Sequence, residues 1–182
     1  MRILDARRER AEDVVEEGAR VVFAGGTVVY SDETGYRFGC DLQREDAVKA
    51  VCAYACEQEG GRMELCVGST AELLEYAPND ALAALAVKHA RTGPLSVLLK
   101  RPSFFSASGL AERERVAFFV PQEPLAQALL ERCGPLLTCG TAYAGDGSAG
   151  LPSGADLLLE RGEVAPRLEV CVIDPTRIVS EP

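Results

Sequence analysis

A chain of 182 residues, 47% hydrophobic and 26% charged, has the composition of a globular protein long enough to bury a substantial core. Its formal net charge of −9 argues against binding nucleic-acid backbone through a basic face, and no apolar run approaches the roughly 18–20 residues of a membrane span. Seven scattered cysteines, no Cys-x-x-Cys pair, a single histidine and no signal-peptide core predict free thiols in a reducing cytoplasm and no metal site.

The first elements surround a segment in which an apolar run leads directly into polar residues. A charged helix is predicted over Ala6–Gly18, ended by its glycine. Val21–Tyr30 is predicted to be a strand, interrupted by Gly25-Gly26 at a bend or a close backbone approach. Ser31–Asp41 is then predicted to be a loop rich in hydroxyls and carboxylates. Because loops held by rigid strands often carry binding chemistry, this segment is the first candidate for a functional site.

Downstream, apolar periodicity with glycine and proline breaks predicts alternating helices and strands. The predicted elements are helices over Gln43–Glu59, Asp80–Arg91 and Glu123–Arg132, a helix from Ala71 capped by Ser69 or Thr70, and strands over Met63–Val67, Leu95–Leu99, Arg115–Val120, Leu136–Thr141 and Leu168–Ile173. Gly145–Gly150 spells G-x-G-x-x-G, but Leu151-Pro152 precedes any helix, so it is interpreted as a flexible surface loop. The alternation predicts one α/β domain over residues 1–182.

An ordered series of partial motifs runs along the chain. Gly25–Asp41 is similar to a Gly-Gly-x-Val-Val strand followed by Pro-Thr-Asp/Glu-Thr-x-Tyr-Gly-Leu-Gly-Cys-Asp, the signature of the YrdC/YciO family, which includes the threonylcarbamoyl-adenylate synthases. Weaker collinear matches lie at Gly93–Ser96, Val116–Pro121, Pro135–Gly145 and Val172–Asp174. The resemblance covers about residues 10–176. It implies an α/β fold, a twisted mixed sheet flanked by helices, with a central cleft.

The resemblance also implies a chemistry. Such proteins join bicarbonate, L-threonine and ATP into threonylcarbamoyl-AMP, with Mg²⁺ as the expected metal, and the product feeds a tRNA modification. A nucleotide or small-molecule ligand is therefore expected in the cleft. The positions that match the family motifs predict nucleotide contacts by Thr34, Tyr36, Thr138 and Thr141, and substrate contacts by Asp32 and Glu33. For Asp32 and Glu33, capping or turning the loop is the alternative. For Thr34 and Tyr36, a role in loop structure is equally open.

The cations that the family would direct at phosphates are missing. Ala55 and Glu57 stand where the family has Lys-x-Arg, and Phe119 stands where it has arginine. Hydroxyl and amide donors are also lost, at Ala142, Val170 and Cys171. One hydrogen bond to a charged group contributes about 1.5–3 kcal/mol, so three lost cations would remove roughly 4–9 kcal/mol, or about three to six orders of magnitude in binding or rate. The sequence therefore predicts a degraded ATP site.

Two alternatives stay open. Arg62, Lys100 or Arg101 could replace the missing cations, which would leave an active threonylcarbamoyl-AMP synthase. The family fold is also associated with double-stranded RNA binding, although the net charge disfavours it. A positive cleft would favour either alternative, whereas a neutral or acidic cleft would favour the degraded site.

Overall fold

A single mixed sheet organises the computed structural model, which describes residues 1–58, 61–76, 95–101, 114–145, 147, 150–164 and 171–173. Within these residues the sheet has nine strands, in the order β1-β8-β2-β3-β7-β4-β6-β5-β9. The strands are β1 (Arg2–Asp5), β2 (Thr27–Asp32), β3 (Gly35–Asp41), β4 (Met63–Cys66), β5 (Leu95–Lys100), β6 (Arg115–Phe119), β7 (Leu136–Gly140), β8 (Leu157–Glu160) and β9 (Cys171–Ile173).

Four described helices flank the sheet: α1 (Ala11–Phe23), α2 (Glu45–Glu57), α3 (Thr70–Glu75) and α4 (Pro124–Cys133). Helices α1 and α4 pack on one face, which we call the first face, against residues such as Val28 and Tyr30 of β2. Helix α2 packs on the second face, against residues such as Phe38 of β3. The expected α/β fold with a twisted sheet between helices is therefore confirmed. None of the described helices combines the length and apolarity needed to span a bilayer.

The predicted N-terminal elements were wrong in their bounds. Helix α1 begins only at Ala11 and passes through Gly18, because that glycine is a packing site and not a terminator. A Cβ at Gly18 would lie 2.8 Å from Leu129 Cδ1, so its absence lets α1 and α4 approach closely. The predicted strand from Val21 is helical as far as Phe23, and β2 begins after a turn in which Gly25 has φ 87°.

The predicted polar loop over Ser31–Asp41 is also wrong, because most of it is strand. Strands β2 and β3 form an antiparallel hairpin in which Asp32 pairs with Gly35, leaving only Glu33 and Thr34 in the turn. All of β2 and almost all of β3 is buried. Polar side chains that looked like a solvent-facing loop therefore lie inside the molecule.

Most of the later elements are confirmed within one to two residues. Ser69 caps α3 as expected, its Oγ accepting a hydrogen bond from Glu72 N at 3.1 Å. Strands β1 and β8 were not predicted, because each has only four residues, too few to show a periodic pattern. The helix predicted over Asp80–Arg91 and the start of the strand predicted from Leu168 lie outside the described residues.

The described cysteines are free thiols that differ in exposure. Burial raises the pKa of Cys40 and Cys139 to about 12 and that of Cys66 to about 11, whereas Cys56 is exposed. We expect Ellman's reagent at pH 8 to label Cys56 at least about 100-fold faster than these three, because only thiolates react and burial blocks access. The Cys56→Ser variant should lose the fast phase of colour release. A fast phase that persists unchanged would contradict this assignment.

Candidate functional site

A buried ionic network lies at the centre of the first face. Arg37 Nε donates to Asp32 Oδ2, and Arg37 Nη1 donates to Glu64 Oε2 at 2.8 Å. The side chain of Arg37 is 4% exposed, that of Asp32 0% and that of Glu64 5%. We call these three residues, together with Ser96, Thr138 and Phe119, the Arg37 network.

The other members complete the polar and apolar contacts of the three charges. Ser96 Oγ donates to Glu64 Oε1, and Thr138 Oγ1 lies 3.4 Å from Arg37 Nη1. The guanidinium carbon of Arg37 lies 4.2 Å from the centre of the Phe119 ring, a cation–π distance. The second carboxylate oxygen of Glu64 and the face of the guanidinium are therefore also in contact with protein groups.

Strand register brings these residues together. Tyr30 pairs with Arg37, Thr138 with Glu64, and Ser96 with Phe119. Because side chains alternate between faces along a strand, Arg37, Thr138 and Glu64 project from the same face of three neighbouring strands, β3, β7 and β4. Arg37 thus reaches across β7 to the carboxylate on β4.

Two carboxylates face one guanidinium, which leaves one negative charge in excess when all three are ionised. Burial by itself lowers the pKa of Arg37, but the neighbouring Cys66 thiol and the Asp32 and Glu64 carboxylates raise it well above its ordinary value. The guanidinium therefore stays charged. Beside it, the Tyr30 hydroxyl is fully buried and has no hydrogen-bond partner among the described residues, and burial raises the pKa of Tyr30.

Tyr36, a predicted nucleotide contact, lies on the second face in a separate cluster. Its hydroxyl lies 2.8 Å from Glu160 Oε1 and 2.8 Å from the Gly162 carbonyl oxygen, which share its one proton, and it accepts from Arg161 N at 2.9 Å. The Tyr143 hydroxyl donates to the other oxygen of Glu160, and the two tyrosine rings lie 4.7 Å apart. Burial raises the pKa of Tyr36. The phenol therefore fastens the segment after β8 to the sheet.

We expect Tyr36→Phe to lower the free energy of unfolding by about 1–3 kcal/mol, because it leaves Arg161 N without its acceptor and removes one of the donors to Glu160. Urea unfolding followed by circular dichroism measures this loss. Tyr54→Phe is a matched control, since the Tyr54 hydroxyl also makes two backbone hydrogen bonds, to Gly150 O and from Ala142 N, but in an exposed setting. Equal losses in both variants would contradict a special role for the buried phenol.

Thr34 and Thr141 contact the backbone and side chains of the β2–β3 hairpin. Asp32 Oδ1 accepts from Thr34 N at 2.7 Å and from Thr34 Oγ1 at 2.6 Å, which fixes the turn. Thr141 Oγ1 donates to the Tyr36 carbonyl at 3.0 Å. Asp32 therefore shapes the turn as well as neutralising Arg37, and ligand contact by these threonines stays a prediction.

Glu33 points away from Asp32, toward the turn before α4. Its carboxylate accepts from Gln122 N at 3.0 Å and from Glu123 N at 3.3 Å. Burial raises the pKa of Glu33, and these hydrogen bonds oppose the shift. The structure thus brings Asp32, Thr34 and Thr138 together around Arg37, while Glu33, Tyr36 and Thr141 serve other contacts.

The positions aligned with the family's cations carry no positive charge in the described residues. Ala55 is buried in α2 on the second face, Glu57 ends that helix, and Phe119 lies beneath the Arg37 guanidinium. The candidate replacements Arg62 and Lys100 are exposed, and Arg101 is half-buried. Val170 lies outside the described residues.

Arg37 and Glu64 are the residues that the sequence analysis missed. The available signal was an arginine inside an otherwise apolar strand, where the resembling family has glycine, together with an isolated glutamate in the Met63–Cys66 strand. Each is rare in a buried strand unless it is paired, so each implies the other.

The first and last glycines of the G-x-G-x-x-G motif pack against backbone. A Cβ at Gly145 would lie 2.0 Å from the Gly162 carbonyl oxygen, and one at Gly150 would lie 2.5 Å from the Ala142 carbonyl carbon. Gly145 and Gly150 also have φ of 88° and 79°. These glycines allow two backbone segments to meet, and no described helix follows them to complete a phosphate cradle.

Comparison with known proteins agrees with this fold. Escherichia coli (strain K12) YciO, an uncharacterized protein, is 28% identical over 134 residues, which cover 72% of this chain and 65% of YciO. The aligned part is thus slightly less than two thirds of that relative. The crystal structure of E. coli YciO matches 95% of this chain and 87% of its own chain at a TM-score of 0.75 and 24% identity.

P. abyssi Sua5 complexed with L-threonine matches 96% of this chain and 54% of its own, at a TM-score of 0.79 and 19% identity. At these identities the structural matches establish the fold alone. The family model described as "Telomere recombination", which represents Sua5, YciO and YrdC proteins, matches residues 20–177. This chain therefore belongs to the Sua5/YciO/YrdC family.

Proposed function

We propose that this chain is a YrdC-like domain related to the threonylcarbamoyl-adenylate synthases whose ATP site is degraded, so that it lacks ordinary synthase activity. The observation that carries the proposal is the Arg37 network. Three positions that align with motif positions of the family contact a side chain of the protein itself, that of Arg37: Asp32, Thr138 and Phe119.

Electrostatics supports the proposal. A triphosphate needs several fixed cations and donors. The only cation in the Arg37 network is already neutralised by two carboxylates, one more than its charge requires. Asp32 and Glu64 could in principle attract Mg²⁺, but their oxygens accept from Arg37, Thr34 and Ser96. The residues of the network do not fit ATP and its metal.

The test is formation of threonylcarbamoyl-AMP from ATP, L-threonine and bicarbonate. Pyrophosphate release measures the reaction, and a Sua5-type synthase is the positive control. We expect turnover of this chain to be at least about three orders of magnitude lower, given the lost charged contacts. Turnover near that of the control would overturn the proposal. Thermal-shift titration with ATP, AMP and L-threonine shows whether any of them binds the native protein.

The runner-up is an active synthase with relocated cations. This alternative depends on Arg62, Lys100 or Arg101; the first two are exposed and so could turn toward a ligand, and Arg101 is half-buried. Under this alternative, Arg62→Ala and Lys100→Ala would each lower a measurable activity at least about tenfold, as expected for a charged contact. Under the degraded-site proposal there is no such activity for them to lower.

Double-stranded RNA is the remaining candidate ligand, and we propose that it does not bind. The net charge of −9 disfavours the counterion release on which such binding depends. We expect no mobility shift of a 20-base-pair RNA at 50 mM salt, and a salt-sensitive shift would contradict this. The free thiols of the described cysteines support our assignment to a reducing cytoplasm.

A further inference from the structure

We propose that the carboxylates of Asp32 and Glu64, together with the Phe119 ring, form a guanidinium-binding site that Arg37 fills from within the chain. This inference deepens the proposed function and rests on it. The Arg37 network, which we propose no longer binds the phosphates of ATP, is here assigned a planar cation. The ligand class that fits the site once the Arg37 side chain is truncated is a small guanidinium or amidinium compound.

The geometry defines that class. Asp32 accepts from the Nε group of the guanidinium and Glu64 accepts from an Nη group at 2.8 Å, so two carboxylates meet the guanidinium at different N–H groups. The Phe119 ring covers the flat surface, 4.2 Å from the central carbon. A planar, delocalised cation with several donors suits this arrangement, whereas a compact ammonium ion cannot both stack and reach two carboxylates.

The site is built, since its members are buried and held in place by other groups. Asp32, Phe119, Ser96 and Thr138 are each no more than 2% exposed, and Glu64 is 4% exposed. Ser96 holds the second oxygen of Glu64, and the Thr34 backbone and hydroxyl hold the second oxygen of Asp32. Truncation of Arg37 would therefore leave a preformed cavity with excess negative charge, and cavities of this kind can bind a small molecule of matching shape.

Chemical rescue tests the inference. Arg37→Ala should be destabilised, and methylguanidinium chloride at 1–10 mM, about the range expected for a small ligand, should raise its melting temperature in a saturable way. Ammonium chloride and sodium chloride at equal ionic strength should have at least about tenfold weaker effects. Wild type should not respond, because Arg37 fills the site. Arg10→Ala, which removes a side chain that is 74% exposed, should not respond either.

Two further measurements keep the inference testable. Arg37→Ala combined with Asp32→Asn and Glu64→Gln should lose the response, since the carboxylates are gone. If Arg37→Ala does not fold, nuclear magnetic resonance of the wild type serves instead: the Arg37 guanidinium protons should exchange at least about 100-fold more slowly than those of exposed Arg10, because burial blocks access of water.

The outcomes separate the two proposals. If methylguanidinium does not raise the melting temperature of Arg37→Ala, or raises that of the wild type equally, the guanidinium site is overturned and the degraded-site proposal stays intact. In the nuclear magnetic resonance measurement, exchange of Arg37 as fast as that of Arg10 would overturn it as well. Synthase turnover by the wild type would instead overturn the proposed function on which it rests.

Discussion

Replacing Arg37 with methionine is expected to lower the free energy of unfolding by about 3–5 kcal/mol, because it leaves two buried carboxylates without their cation. Methionine keeps much of the volume of the arginine stem, so the loss reports charge more than packing. Urea unfolding of the purified protein measures it. A loss below about 1 kcal/mol would show that the network is solvated and that Arg37 does not neutralise Asp32 and Glu64 in the folded state.

Neutralising variants provide the control for this result. Glu64→Gln removes the excess negative charge and keeps an oxygen that can accept from Arg37, so we expect it to change stability by no more than about 1 kcal/mol. Arg37→Met combined with Asp32→Asn and Glu64→Gln should recover part of the loss seen with Arg37→Met alone. If the triple variant is less stable than the single variant, unpaired charge is not the cause of the destabilisation.

The fold was largely predictable from sequence, for physical reasons that differ between elements. Helix α2 has a periodic apolar stripe, and strand β4 follows shortly after the glycine pair that predicts the end of this helix, so local patterns were sufficient. The predicted helix end at Gly18 was wrong because the role of this glycine depends on Leu129, a residue more than a hundred positions away. Strand β8 could not be found from its own four residues, because its pairing with β1 and β2 defines it.

The candidate site was predictable only in part. The absence of cations at Ala55, Glu57 and Phe119 could be seen by position along the chain. That Arg37 lies over Phe119 could not, because it depends on register across β3, β7, β4 and β6. Polar residues at Ser31–Asp41 favoured a loop as long as their partners were unknown. In the folded protein Glu64 lies beside Arg37 and pairs with it, so the same residues are compatible with a buried strand.

Arg37 and Phe119 are expected to be energetically coupled, because their side chains meet at the same point of the site. Relative to the family pattern, this chain has arginine where glycine is expected and phenylalanine where arginine is expected. Phe119→Arg alone would place a second guanidinium against the first in a buried site, and we expect a loss of at least about 3 kcal/mol. Combining it with Arg37→Gly removes the repulsion and leaves one guanidinium near Asp32 and Glu64. The double variant should therefore be more stable than the sum of the two single losses implies, with a coupling energy of about 1–3 kcal/mol in a double-mutant cycle.

Urea unfolding of the four proteins gives the coupling, and Arg10→Gly combined with Phe119→Arg, two residues with no shared contact, is the additive control. Additivity within about 0.5 kcal/mol in the Arg37 cycle would mean that the second guanidinium cannot occupy the place of the first.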